Sequence, residues 1–130
     1  MTLFVADTSV LMAVAKDSVS LDSILDALLC DALYVTKPVL EELRRLAQGS
    51  GEKARYARWI LNNLLDRAVK VLDSDCDGKR FDDRIICSVK KLGAVLVTFD
   101  KEMVRKCRSE GVKVVVLRKF GRRLEVFTSA

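Results

Sequence analysis

The sequence predicts a three-layer α/β/α domain around a mainly parallel sheet. Two observations carry this. Short apolar runs alternate along the chain with longer stretches whose apolar residues recur at helical spacing. Strand-like and helix-like segments follow one another throughout, the order expected of parallel strands joined by crossover helices. The length of 130 residues suits one domain, residues 1–130, and no repeat, linker or low-complexity segment divides it.

Taken in order, residues 2–6 form an apolar run with Phe4 and Val5 that ends at Asp7 and reads as a buried strand. A helical stretch over 9–15 follows, then a charged turn at Lys16–Ser18. Residues 20–29 place Leu21, Ile24, Leu25, Leu28 and Leu29 on one helical face. Residues 33–36 read as the second strand. Pro38 suits the first turn of the next helix, where its missing N–H costs nothing, and Gly49-Ser50-Gly51 ends that helix after Gln48. A long helix over 52–67 carries a stripe of Tyr56, Trp59, Ile60 and Leu64, read as core packing rather than a base-stacking platform. Residues 69–72 are a third strand. The polar segment from Asp73 to Lys79 lacks the acid that a calcium loop needs at its twelfth position, where Arg84 stands. A helix over 82–92 has Gly93 as its C-cap. Residues 94–98 form a buried strand, 101–110 a helix ended by Gly111, and 114–117 another strand. The tail 124–127 adds an edge strand or pairs with a partner.

Composition removes several kinds of chemistry. There is no histidine, so a Ser-His-Asp or Cys-His relay cannot be built. Acid–base work falls to carboxylates, Lys, Tyr or metal-bound water. The cysteines at 30, 76, 87 and 107 form no CxxC pair, which argues against zinc. They read as free, buried thiols, with a bridge as the alternative in a hyperthermophile. No run of about 18 apolar residues exists to span a membrane, and the first residues lack the features of a signal peptide, so a cytoplasmic protein is expected. The formal net charge of +5, from 23 basic and 18 acidic residues, suggests a polyanionic partner. Arg44, Arg45, Lys53, Arg55, Arg58 and Lys101 are the candidate phosphate-backbone contacts, although any one basic cluster can equally be a solvated helix face.

The acids say more. Ligands of open α/β sheets bind beyond the carboxyl ends of the strands. Asp7 directly follows the first strand, and Asp100 follows the strand over 94–98. Glu42 lies about one turn into the helix begun at Pro38, and Asp82 and Asp83 open the helix before Gly93. Singly, Asp7, Asp82 and Asp100 could be N-caps, and Glu42 a solvent-facing residue. Together they would repel one another unless a cation neutralised them. An all-oxygen site without His or Cys suits Mg²⁺ or Mn²⁺, and such a site suits phosphodiester hydrolysis.

These residues resemble the PIN-domain ribonucleases. The blocks that carry the resemblance are Phe4-Val-Ala-Asp7-Thr8-Ser9, Pro38-Val-Leu-Glu41-Glu42-Leu43, Asp82-Asp-Arg-Ile85 and Val97-Thr98-Phe-Asp100-Lys101. Their order spans nearly the whole chain. The resemblance implies a PIN-like α/β/α domain that binds Mg²⁺ or Mn²⁺ and cleaves single-stranded RNA as an endonuclease. It implies catalytic and metal-binding acids at Asp7, Glu42, Asp82 and Asp100, with Ser9, Thr98 and Asp83 in support. Asp82 is chosen over its neighbour Asp83 because family members place this acid sixteen residues before the Thr of the next strand, and 98 − 82 is 16. The stretch from Lys53 to Arg58 looks like that of archaeal relatives of rRNA-processing members, with VapC toxins of toxin–antitoxin pairs as the competing subfamily. A homodimer is expected, with an antitoxin or a ribosome-assembly factor as a further partner. Two other readings have weaker support: an RNA-binding scaffold without catalysis, and a phospho-receiver, which would want adjacent acids after the first strand where Thr8 and Ser9 stand.

Overall fold

The computed structural model describes residues 2–128. Six helices and six strands alternate in the expected order: β1 (Phe4–Ala6), α1 (Thr8–Ala15), α2 (Leu21–Leu28), β2 (Leu33–Thr36), α3 (Lys37–Ala47), α4 (Glu52–Asn63), β3 (Val69–Leu72), α5 (Phe81–Leu92), β4 (Val95–Thr98), α6 (Lys101–Ser109), β5 (Val114–Phe120) and β6 (Arg123–Thr128). The sheet order is β3-β2-β1-β4-β5-β6, parallel except for β6, which returns antiparallel along β5 through a turn at Gly121. The tail thus adds an outer strand to the sheet, one of the two roles expected for it.

This order determines where a ligand can sit. From β1 the chain winds outward through β2 to β3, then crosses back to β4 on the other side of β1. The crossovers leaving β1 and β4 therefore diverge, and a crevice opens between the carboxyl ends of these two strands. Asp7 and Asp100 stand at those ends.

Val5, Leu33, Val35, Val69, Leu96 and Val97 fill the sheet. Leu11, Ile24, Val39, Leu43, Ile60, Ile85 and Val89 cover it from the helices. Each fully buried Leu, Ile or Val contributes about 1.5–3 kcal/mol, so helix docking rather than intrinsic propensity holds these short helices. Two buried hydroxyls brace the layers: Ser88 of α5 donates to Thr36 of β2 at 2.6 Å, and the Ser74 hydroxyl donates to the Ser88 carbonyl at 2.8 Å.

Three expectations change. Leu29 does not continue the apolar face of α2. It takes the left-handed C-cap conformation (φ 55°) and is 93% exposed. The long helix stops at Asn63, because the chain turns through residues 64–68 into β3. Its inner face is Ala54, Ala57, Ile60 and Leu64, while Trp59 is 43% exposed. Third, the cysteines are not all free. Cys76, in the loop after β3, is bonded to Cys87 of α5, with Cα atoms 6.1 Å apart; Cys30 and Cys107 are thiols. The loop folds back over α5, which brings together two cysteines with no recognisable spacing motif.

Among the described residues, no helix is long and apolar enough to cross a membrane.

Candidate functional site at the β1–β4 crevice

Asp7 is the centre of the site. It is the N-cap of α1, accepting from the Val10 N–H at 3.3 Å. It is also only 3% exposed. The Ser9 hydroxyl donates to Oδ1 at 2.6 Å and the Thr98 hydroxyl donates to Oδ2 at 2.5 Å. Burial pushes its pKa up; the hydrogen bonds from Ser9, Thr98 and Val10 oppose this, and the Asp100 charge adds to it, leaving the pKa at about 6.

Magnitudes separate a structural from a functional reading here. An N-cap contributes about 1 kcal/mol. Raising a carboxyl pKa from 3.8 to about 6 costs about 3 kcal/mol when the group must ionise at neutral pH. An exposed cap would give the benefit without the cost. Capping alone therefore does not account for Asp7.

Asp100 is the N-cap of α6 and accepts from the Glu102 N–H at 2.9 Å. Thr98 links the two acids, since its hydroxyl donates to Asp7 and accepts from the Asp100 N–H at 2.9 Å. Ser9 has a similar double role: it donates to Asp7 and accepts from the Phe99 N–H at 3.1 Å.

Glu42 reaches the crevice from α3, where it is half-buried and accepts a hydrogen bond from Thr8. Burial raises its pKa, against the Thr8 hydrogen bond; Asp82 adds to the rise and Arg45 opposes it. Asp82 is not an N-cap. Arg80 takes that position, and Asp82 lies in the first turn of α5, bonded to Lys106 at 3.1 Å. Asp83 is exposed and lines a different groove, between α5 and α6. Asp82 is thus the acid that faces Glu42. The buried Cys107 thiol lies beneath both halves of the site: burial, then Asp7 and Asp82, push its pKa up to about 12.

The basic candidates separate. Arg45 acts on Glu42 and lies over the Phe81 ring at 5.7 Å. Lys53 lines a groove that opens beside Glu42. Arg58 is engaged in structure, donating to the Ala47 and Gly49 carbonyls, and with Arg55 it lines a separate shallow surface. Arg44 and Lys101 are exposed. The sequence reading missed Thr8 and Lys106. Thr8 immediately follows Asp7, a position that marks it; nothing near Lys106 in the chain marks its contact with Asp82.

Among the described residues, no three His, Cys, Asp or Glu side chains converge closely enough to hold an ion. Glu42 is turned to Thr8, Asp82 to Lys106 and Asp100 to its own helix. The donor chemistry nonetheless fits a hard divalent cation. All four groups are carboxylates, and burial, the main cause of the raised Asp7 and Glu42 pKa values, disfavours their charged forms, which a bound cation would stabilise.

A family model described as a PIN like domain matches residues 4–120, which leaves β6 outside the match. Ribonuclease VapC9 of Archaeoglobus fulgidus is 29% identical over 114 residues, covering 88% of this chain and 82% of that protein. Among solved structures, the PIN domain endonuclease Utp24 superposes with a TM-score of 0.71 at 18% identity, covering 98% of this chain and 92% of that one. VapBC2 from Rickettsia felis, bound to a DNA fragment from their promoter, gives a TM-score of 0.60 at 16% identity, covering 80% and 92%. At these identities the two structures speak for the fold.

Proposed function

The chain belongs to the PIN like domain family, and from that premise we propose that it is a divalent-metal-dependent endoribonuclease acting on single-stranded RNA. The observation that carries the reading is the buried, doubly hydrogen-bonded Asp7, held at a cost larger than its capping role returns. The likeness to Ribonuclease VapC9 supports the activity and the substrate class.

Asp7 and Asp100 would be the principal holders of Mg²⁺ or Mn²⁺, with Glu42 and Asp82 completing the set. A bound cation supplies an activated water and neutralises charge on the phosphodiester. The chain's own residues orient the acids. Ser9 and Thr98 hold both oxygens of Asp7, and Thr8 holds Glu42. Lys106 balances Asp82 on the α6 side. Such partners fix ligand orientation, and the hydroxyl bonds favour the ionised form of Asp7 and Glu42.

Of the possible biological roles, a VapC-type toxin has the VapC9 likeness in its favour. Growth arrest on expression, relieved by a co-expressed antitoxin, tests that role. A role in rRNA processing rests on the Lys53–Arg58 stretch alone. Light scattering of the purified chain tests the expected homodimer.

The activity is tested with labelled single-stranded RNA in Mg²⁺ or Mn²⁺ and in EDTA, beside Asp7→Asn. Cleavage is expected only with metal and only from the wild type. Cleavage that persists in EDTA, or an Asp7→Asn variant as active as the wild type, overturns the proposal.

A further inference from the structure

A groove of about 560 Å³ opens directly beside Ser9 and Glu42. It runs along α1, beside α3 and the start of α4, toward the far end of β5. Three lysines line it: Lys16 at the C-cap of α1, Lys53 in the first turn of α4, and Lys119 on β5. Glu42, at the catalytic end, is its one acid. Met12, Leu46 and Phe99 contribute apolar surface. Phe99 is fixed next to the carboxylates, because its N–H donates to the same Ser9 oxygen whose hydroxyl holds Asp7.

The lysines are positioned but not neutralised. The Lys119 ammonium donates to the Ser18 carbonyl across the groove, and Lys16 lies over the Tyr56 ring at 5.9 Å. Among the described residues none of the three is in an ion pair. The groove on the other side of Asp82, between α5 and α6, sets Lys90 and Lys106 against Asp83 and Glu110. One flank therefore carries three cations and one acid, and the other two of each. A polyanion crossing the crevice is drawn to the first.

We infer that the Lys16–Lys53–Lys119 groove is the seat of the substrate strand on one side of the scissile phosphate: its phosphates on the three lysines, and one base stacked on Phe99. Lysines that follow the backbone and an aromatic platform are the usual means of holding single strands without reading sequence. The identification of the ligand as RNA rests on the nuclease reading of the adjacent carboxylates.

The test is fluorescence anisotropy of a labelled single-stranded oligoribonucleotide with the full chain in EDTA, so that binding is read without turnover. Lys16→Gln/Lys53→Gln/Lys119→Gln is compared with Lys70→Gln/Lys90→Gln/Lys113→Gln, which removes equal charge from exposed positions elsewhere. Each phosphate contact on a single strand contributes about 0.7 to the slope of log affinity against log salt. The groove triple is expected to lower that slope by about 2, and the control triple to leave it nearly unchanged. Phe99→Leu, which keeps the apolar packing, is expected to weaken binding at least about fivefold at an unchanged slope. Melting curves of each variant check that it folds. Equal losses from the two triples, or no binding by the wild type, overturn the inference. A wild type that binds through the groove but cuts nothing leaves the groove standing and removes the nuclease reading. A wild type that cuts while both triples lose affinity alike does the reverse.

Discussion

Two acid clusters at the carboxyl side of the sheet behave in opposite ways. Around Asp7 the acids are held by hydroxyls, and burial, with a smaller contribution from neighbouring carboxylates, raises the pKa values of Asp7 and Glu42. Around Arg84, some residues away on α5, the acids face a cation. The Arg84 guanidinium bonds Glu41 at 2.6 Å and Asp75 at 3.0 Å, and it lies over the Phe81 ring at 5.7 Å. Burial works to raise the Asp75 pKa, but the Cys76 N–H and Arg84 outweigh it and hold the carboxyl below its usual value. The same side-chain type serves cohesion in one place and is held against the cost of burial in the other. What differs is burial and the partner: Asp7 is enclosed and bonded to two hydroxyls and a backbone N–H, whereas Asp75 is half-exposed and bonded to a guanidinium. Adjacent residues in the sequence divide between the two roles: Glu41 pairs with Arg84, while Glu42 points to Thr8 and the crevice.

The largest expected effect breaks this symmetry in activity. Asp7→Asn should lower RNA cleavage more than about 100-fold, beyond the range typical of partners that only orient a metal ligand. Asp75→Asn should leave the cleavage rate within about twofold when measured well below its melting temperature. Single-turnover rates at saturating protein compare the two. Equal losses would mean that the clusters are not functionally distinct.

Next is the bridge that holds the Asp75 loop to α5. It closes a loop of 11 residues, for which the chain-entropy model gives about 3 kcal/mol. Cys76→Ser/Cys87→Ser should lose about that much in denaturant unfolding while keeping its activity at low temperature. A loss of activity without a loss of stability would place the loop in the catalytic machinery.

Thr98→Val removes the donor to Asp7 Oδ2 and the acceptor for the Asp100 N–H at nearly constant volume. Cleavage should fall about 10–100-fold. Losing a bond that lowers the Asp7 pKa should also move the acid limb of the pH–rate profile upward. A lower rate with an unmoved acid limb would argue against orientation of Asp7 as the role of Thr98.

The smallest effect is the most diagnostic. In the folded chain Asp7 holds its proton up to about pH 6, against 3.8 as the reference value. The associated stability is full below about pH 4 and is lost as the pH rises through 6. In EDTA, Asp7→Asn should therefore be about 1–2 kcal/mol more stable than wild type at pH 7.5, part of the relief being offset by weaker hydrogen bonds from Ser9 and Thr98. The gain should vanish near pH 4. Asp75→Asn should instead be about 1 kcal/mol less stable at pH 7.5, since it abandons Arg84. Melting curves at the two pH values read both signs.

Much of the fold was legible because it rests on local signals. The runs that became β1, β2, β3 and β4 are apolar and short, and Pro38, Gly93 and Gly111 punctuate the helices where such residues suit the backbone. Local periodicity failed at ends and faces. Leu29 fits the helical face by spacing, yet it lies one residue past the last turn, where the left-handed cap turns it to solvent. Trp59 fits a stripe by hydrophobicity, but the small Ala54 and Ala57 form the close-packed side of α4. The candidate acids were visible as carboxylates after apolar runs and at helix starts. Thr8 offered a weak signal, and Lys106 none, because its partner lies 24 residues away on another helix.

The sequence by itself determined the alternation of strands and helices, the absence of histidine chemistry and the supply of carboxylates, since each depends on residue type and near neighbours. The tertiary structure alone decided which groups surround each acid. Asp7 is held by Thr98, 91 residues distant, only because β4 pairs beside β1. Asp82 rather than Asp83 faces Glu42 because α5 docks in one rotational phase on the sheet. Cys76 meets Cys87 because a polar loop folds back on the helix that follows it. Strand order and helix phase are set by how distant apolar faces pack together, and that information belongs to no single stretch of the chain.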